Sequence, residues 1–522
     1  MSRDASAEDR PHAEGSLEVL DRRPVPGLPR PYHFPGFART VLPNGLTVLV
    51  SHLPGRPLLA AQLLLIGGAA SEDAAQAGLT VLAAEALTEG TARRDAIALI
   101  EASERLGAGI QASAGWETTV GTVTVPRRNL APALDLLAEV MLTPTFPEHE
   151  VARLREERVN DLLQARADPR RRAERAFAAT IYAPSSPFAR PIGGTEETVP
   201  GLSRDAAADR YAQLLDPRRA TIIVAGDVEG IPVAELVGER FGDWTATGDV
   251  PAVANPDATP HPAGRRVVIV DRPGSPQTEV RIGHVGVARA IPDYHAVVVM
   301  SAILGGLFDS RLQRLLREER GYTYGVHAGF DMRRVPGPFA VRMAVHTEAT
   351  APAVRDTLAV LERVTVDPPT PAELDAARDF LIGVFPLRFE SASQVVSAIG
   401  GLVALGLPDD EMDRYRPAIA AVTADEVLAA AAHVRPAEAS VVLVGDATRI
   451  LADLGGELGP VEVVQEDVVA EAAGPQEGPG TGPLADGERS EADPEADPTE
   501  EQPGPAGERP AGTGDDPDRA EA

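Results

Sequence analysis

Two side chains in this 522-residue sequence invite a chemical reading: Arg317 and Tyr324, seven positions apart with Gly321 between them. A guanidinium is charged throughout the physiological range, and a phenol of ordinary pKa keeps its proton at neutrality. Donors of this kind, aimed at the tetrahedral oxyanion formed when a peptide bond is hydrolysed, stabilise charge that exists only in the transition state. The spacing alone also admits a plainer use, with Arg317 paired to a nearby helix acid and Tyr324 packed in a strand.

Other chemistries find less support. The ten histidines are scattered, and no two stand at the i, i+4 spacing that puts two metal ligands on one helix face. Absence of cysteine removes thiolate sites and disulfides. Gly107-Ala108-Gly109 lacks the third glycine of a dinucleotide loop, and no phosphate-loop Gly-Lys-Ser/Thr occurs. Ser301 and Ser310 sit in no Gly-x-Ser-x-Gly elbow, and His295 and His327 read as ordinary packed or surface histidines.

The elements that must position Arg317 and Tyr324 come from a repeated chain. Pro217 answers Pro436, Gly226-Asp227 answers Gly445-Asp446, and Ala131-Pro132-Ala133 answers Ala351-Pro352-Ala353. Phe146-Pro147-Glu148 likewise answers Thr370-Pro371-Ala372-Glu373, all in the same order, as a duplicated domain requires. Pro43-Asn44-Gly45 between apolar runs predicts a hairpin, and the alternation from Glu117 to Val125 predicts a half-buried strand. The apolar run from Pro57 to Ala70 reads as a buried strand. Helices mixed with antiparallel strands indicate an α+β fold with helices on one face of each sheet.

The expected divisions are an N-terminal arm (1–35), a first domain (36–245), a proline-rich linker (246–264), a second domain (265–453) and an acidic tail (454–522). The formal charge is -29. From Gln465 onward 17 acidic residues face 3 basic ones, so about half of that excess lies in a Gly, Pro and Glu-rich tail too poor in large apolar side chains to fold. The acidic balance argues against nucleic acid, which demands a basic footprint. With no apolar core in the N-terminal stretch and no run of 18 apolar residues, a soluble cytoplasmic protein is expected.

Residues Gly78 to Thr91 read GLTVLAAEALTEGT. This resembles the inverted zinc-binding helix of the pitrilysin/insulinase metallopeptidases, Gly-Leu-Ala-His-x-x-Glu-His-x-Leu-x-x-Gly-Thr. Aligned on Gly78, Leu79, Leu87, Gly90 and Thr91, Val81 takes the place of the first histidine, Ala84 that of the catalytic glutamate and Glu85 that of the second histidine. The family's third ligand is a glutamate on a later helix, matched here by Glu148 to Gln164, with Asn160 and Asp161 near the expected place. From Leu304 to Phe330 the chain resembles the family's second-domain signature, one residue shorter around the last glycine.

The resemblance covers about Gly36 to Asp453. It implies two related α+β domains, each a mainly antiparallel sheet, closing like a clamshell. Gly305 and Gly306 read either as a glycine loop that touches substrate or as a tight turn between packed helices, and the resemblance assigns Arg317 and Tyr324 to the active site. It further implies a subunit without zinc of its own, paired with a homologous zinc-binding subunit in a heterodimer that cuts peptides. No membrane or nucleic-acid partner is expected. A catalytically silent scaffold or peptide-binding protein of the same fold, like the core subunits of respiratory complexes, is the alternative.

Overall fold

The computed structural model describes Gly27, residues 30–246, Gly248, residues 255–454, Gly456 and residues 458–465. Two six-stranded sheets form its frame. The first contains β1 (Phe37–Val41), β2 (Thr47–His52), β3 (Leu58–Ile66), β4 (Gly109–Ala114), β5 (Thr118–Pro126) and β6 (Ala220–Gly226), in the order β1-β2-β6-β3-β5-β4. The second contains β7 (Val267–Asp271), β8 (Gln277–Val285), β9 (Val326–Phe330), β10 (Pro338–His346), β11 (Ser440–Gly445) and β12 (Val461–Val464), in the order β12-β7-β11-β8-β10-β9. In each sheet the strand that ends in the glycine of Gly-Asp, β6 or β11, runs parallel to one neighbour and antiparallel to the other. The repeat legible in the sequence is therefore a repeat of topology.

Several expected elements form where their residues require. Gly45, at φ 93°, closes the β1–β2 hairpin while the Asn44 side chain accepts from the Leu46 amide. β5 alternates half-buried and buried along its length.

The expected helical cover on one face of each sheet is present, and a second cover is added to it. Each carries its own half's helices on one face and a helix from the other half on the opposite face. The helix Pro169–Ile181, from the first half, lays Ala173, Phe177 and Ile181 on Val268, Val270, Val442 and Val444 of the second sheet. The helix Ala392–Leu405, from the second half, packs in one continuous apolar cluster with Leu49, Ala60, Ile223 and Ala225 of the first. Gly400 lets that helix approach β3 closely, since a Cβ there would stand 2.6 Å from Gln62 Oε1 and would push that side chain aside. Cover on both faces explains why β6 and β11 are buried along their whole length rather than alternating, with Thr221 and Ser440 their only hydroxyl side chains.

Polar ties reinforce the exchange. Arg281 of β8, 2% exposed, donates through Nε to Glu174 of the Pro169–Ile181 helix at 2.6 Å, and Arg342 of β10 reaches the same carboxylate at 3.1 Å. Residues of the linker are laid against the end of that helix, where the Ala183 amide donates to the Thr259 carbonyl and the His261 amide to that of Ile181.

Two expected boundaries move. The acidic tail was expected from 454, but β12 adds the valine-rich Val461–Val464 to the edge of the second sheet beside β7, with half-buried and exposed positions alternating along it. Residues near the end of the expected N-terminal arm belong to the second core: Phe34 stacks edge-on against Phe389 and its amide donates to Asp413. The part of the acidic tail beyond 465 lies outside the described residues. The helical stretch Tyr294–Glu319, which holds an 18-residue window apolar enough by mean hydropathy to cross a membrane, contributes Val297, Val299, Met300 and Leu304 to the second core.

Candidate active site

The Leu79–Glu85 helix packs beside the edge strand β4 and is held at both ends by interactions that need no metal. Its N-cap, Gly78, has φ 95°, and a Cβ there would meet the Gly193 carbonyl oxygen at 2.6 Å, so only glycine allows the approach. The Glu72 carboxylate caps the helix by accepting from the Gly78 and Thr80 amides. Burial raises the Glu72 pKa, against the lowering effect of those hydrogen bonds and of Arg210. At the far end Thr91 Oγ1 donates to the buried Glu139 carboxylate at 2.6 Å, and Arg94 pairs with the same group. Gly90 is pressed on Pro147, which a Cβ would approach to 2.7 Å.

The donor set does not fit zinc, which takes about three protein ligands. Val81 is half-buried and offers no donor, Ala84 is fully buried, and Glu85 supplies the only carboxylate of the three aligned positions. Asn160 is exposed. Asp161 is engaged by Arg171 at 2.8 and 2.9 Å and by Arg158 at 2.8 Å. The Arg171 hydrogen bonds hold that carboxyl below its usual range against the effect of burial. An aspartate clasped by two guanidiniums is poorly suited to ligating a cation.

In the second half the corresponding segment packs on the edge strand β9. The helix Tyr294–Ser301 runs into a π-helical turn, Ala302–Gly306; after a short loop the helix Arg311–Gln313 runs into another, Arg314–Glu319. Such turns recur at functional sites. Arg311 fixes the segment to the helix Pro371–Val384 through Glu373, at 2.9 and 3.2 Å, while Glu373 also completes a capping box with Thr370. Burial alone would raise the Glu373 pKa, but Arg311 and the Thr370 amide outweigh it and hold it at about 2.

Three of the four residues singled out in the sequence fall on this segment and the fourth, Tyr324, on the turn between it and β9, in unlike settings. Gly305 is buried, and a Cβ on it would meet the Ala328 Cβ at 2.6 Å, so it seats the turn on β9. Gly306 is exposed. The Arg317 guanidinium lies 4.5 Å from the ring centre of Phe308, itself 68% exposed, and 3.5 Å from Glu318. Tyr324 is 87% exposed on a turn closed by Thr323, whose hydroxyl donates to the Gly325 carbonyl and accepts from its amide. Gly305 and Arg317 thus have identified neighbours, whereas Tyr324 is presented to solvent.

The first half matches the model of the insulinase family, peptidase family M16, over residues 47–195, and residues 201–381 match that of the peptidase M16 inactive domain. The chain belongs to peptidase family M16. An uncharacterized zinc protease of Mycobacterium tuberculosis is 28% identical over 395 residues, covering 76% of this chain and 90% of that protein. A protein of Helicobacter pylori named non-peptidase homolog YmxG is 23% identical, covering 66% and 78%. In fold, the M16 chain resembles a peptidase M16 inactive domain from Pseudomonas fluorescens, with a TM-score of 0.72 and 24% identity over 79% of this chain and 98% of that one. It also resembles a chain of complex III2 from Candida albicans, with a TM-score of 0.67 and 15% identity over 80% of this chain and 97% of that one.

One cluster escaped the sequence reading. His52, Asp227 and Glu229 bring ligand-type atoms within 4.8 Å of one another at the ends of β2 and β6. A scan for ligands at helical spacing cannot find them. The repeated Gly-Asp after each apolar strand was the available signal.

Proposed function

We infer that this chain is the non-zinc subunit of a heterodimeric M16 metallopeptidase that cuts peptides, acting with a homologous zinc-bearing subunit. The observation that carries the reading is the contrast between a zinc-type helix without a donor set and a second-half segment that keeps Arg317 half-buried and presents Tyr324 to solvent. In this reading the two halves close like a clamshell around the peptide. Arg317 and Tyr324 donate to the scissile carbonyl and stabilise its oxyanion, and Gly306 lies along the substrate while Gly305 seats the turn. Zinc and the activated water belong to the partner. An extended peptide pairing with a sheet edge accounts for broad side-chain tolerance.

The test is co-purification with a related chain that carries an intact His-x-x-Glu-His, followed by peptide cleavage. Arg317→Ala and Tyr324→Phe should each lower kcat/KM by about 100-fold or more, the scale of losing one oxyanion donor. Unchanged turnover in both variants, with the complex assembled, would refute the shared site and leave a silent scaffold as the better reading.

A further inference from the structure

We propose that His52, Asp227 and Glu229 form a site for one divalent transition-metal ion at the end of the first sheet, separate from the donor-poor Leu79–Glu85 helix. His52 is the last residue of β2 and the register partner of Gly226 on the parallel strand β6, so Asp227 follows directly beside it. Gly226, at φ 132°, turns the chain there, and its carbonyl accepts from the Leu53 amide at 2.7 Å. Arg127 fixes the turn by donating to the main-chain carbonyls of Asp227, at 2.7 Å, and of Glu229. His52 Nδ1 and Asp227 Oδ1 stand 3.9 Å apart.

The duplicated half supplies the control. There Asp271 is the register partner of Gly445, and Asp446 follows. Both carboxylates are taken up by the backbone: Asp271 accepts from the Ala447 amide, and Asp446 from those of Gly274 and Arg449, so they cap the helix Ala447–Leu454. In the first half the helix starts later, at Val233, with no side-chain cap. Asp227 and Glu229 are therefore released from capping, and an imidazole stands where the second half has Asp271.

One imidazole with two carboxylates is the donor set of Zn²⁺, Mn²⁺ or Fe²⁺ rather than of the oxygen-bound Ca²⁺ and Mg²⁺. Metal bonds of about 2 Å place ligand atoms roughly 3.3 Å apart, a closure that half-exposed side chains reach by rotation. The Arg127 charge opposes binding, but its donors are directed at carbonyls, leaving the carboxylates available. The ion would clamp the end of β2 to the loop after β6, on the side of the sheet away from β4.

Calorimetric titration of the chelator-stripped full chain with Zn²⁺, and separately with Mn²⁺, tests this. The wild type should bind one equivalent of at least one of these ions with a rise in Tm. His52→Ala and Asp227→Asn should each weaken that binding at least tenfold, while Glu85→Gln leaves it unchanged. Wild-type protein that binds neither ion, or binding that persists in the His52→Ala/Asp227→Asn double variant, would overturn the proposal. Loss of binding in Glu85→Gln would also do so, by moving the ion to the Leu79–Glu85 helix.

Discussion

The Leu79–Glu85 helix and the 302–319 segment each lie against the edge strand of their own sheet, β4 and β9, yet they retain opposite things. The first keeps Gly78, Leu79, Leu87, Gly90 and Thr91 of the zinc-helix pattern and lacks the donors. The second keeps a half-buried arginine on a π-helical turn and an exposed tyrosine on the turn that follows. The difference shows that Gly78, Gly90 and Thr91 are held by close backbone approach and a buried carboxylate, requirements that persist without any metal. A motif's frame therefore reports packing, and only its ligand positions report chemistry.

The sharpest way to break this contrast is activity in the reconstituted complex. Arg317→Ala or Tyr324→Phe should cost about 100- to 1000-fold in kcat/KM, whereas Val81→Ala should leave the rate within about twofold, an outcome read from steady-state peptide cleavage. Equal effects at both places would erase the distinction. Next in size is Ala84→Glu, which puts a carboxylate where Ala84 is fully buried. It should destabilise the chain by about 3 kcal/mol without adding bound zinc, checked by urea unfolding and metal analysis. Gly305→Ala should cost about 1–3 kcal/mol by forcing a methyl against Ala328, while the exposed Gly306→Ala stays within about 0.5 kcal/mol.

The smallest effects separate the two anchoring carboxylates by pH. Glu373 is held at about 2, below its ordinary 4.5, so its stabilising contribution is present above 4.5 and is lost as pH falls toward 2. Glu373→Gln should therefore cost about 1–2 kcal/mol at neutral pH and progressively less in acid. Glu72 has a raised pKa, so its contribution is fully present below 4.5 and declines as pH rises through the raised value. The stability gap between wild type and Glu72→Gln should narrow with rising pH, the opposite slope, measured by unfolding at a series of pH values.

Much of this arrangement was legible in the residues. The Asn44-Gly45 hairpin, the alternation in β5 and the paired Gly-Asp strand ends all form as their local chemistry dictates. The segment bearing Gly305, Gly306, Arg317 and Tyr324 was also visible, though not that Gly305 is buried and Gly306 exposed. What the sequence concealed is partnership. Apolar periodicity marks Phe177 and Ile181, or Val395 and Ile399, as a buried stripe but does not say which sheet receives it. The His52, Asp227 and Glu229 cluster was hidden for the same reason, since a parallel register joins residues far apart in the chain.

The exchange of helices between the sheets also sets an order on how the chain is made. As the protein leaves the ribosome, β1 to β6 are complete well before Ala392–Leu405 exists, and until then Leu49, Ala60, Ile223 and Ala225 have no cover on that face. The nascent first half is thus a sticky intermediate that waits for the second, a state in which aggregation competes with folding.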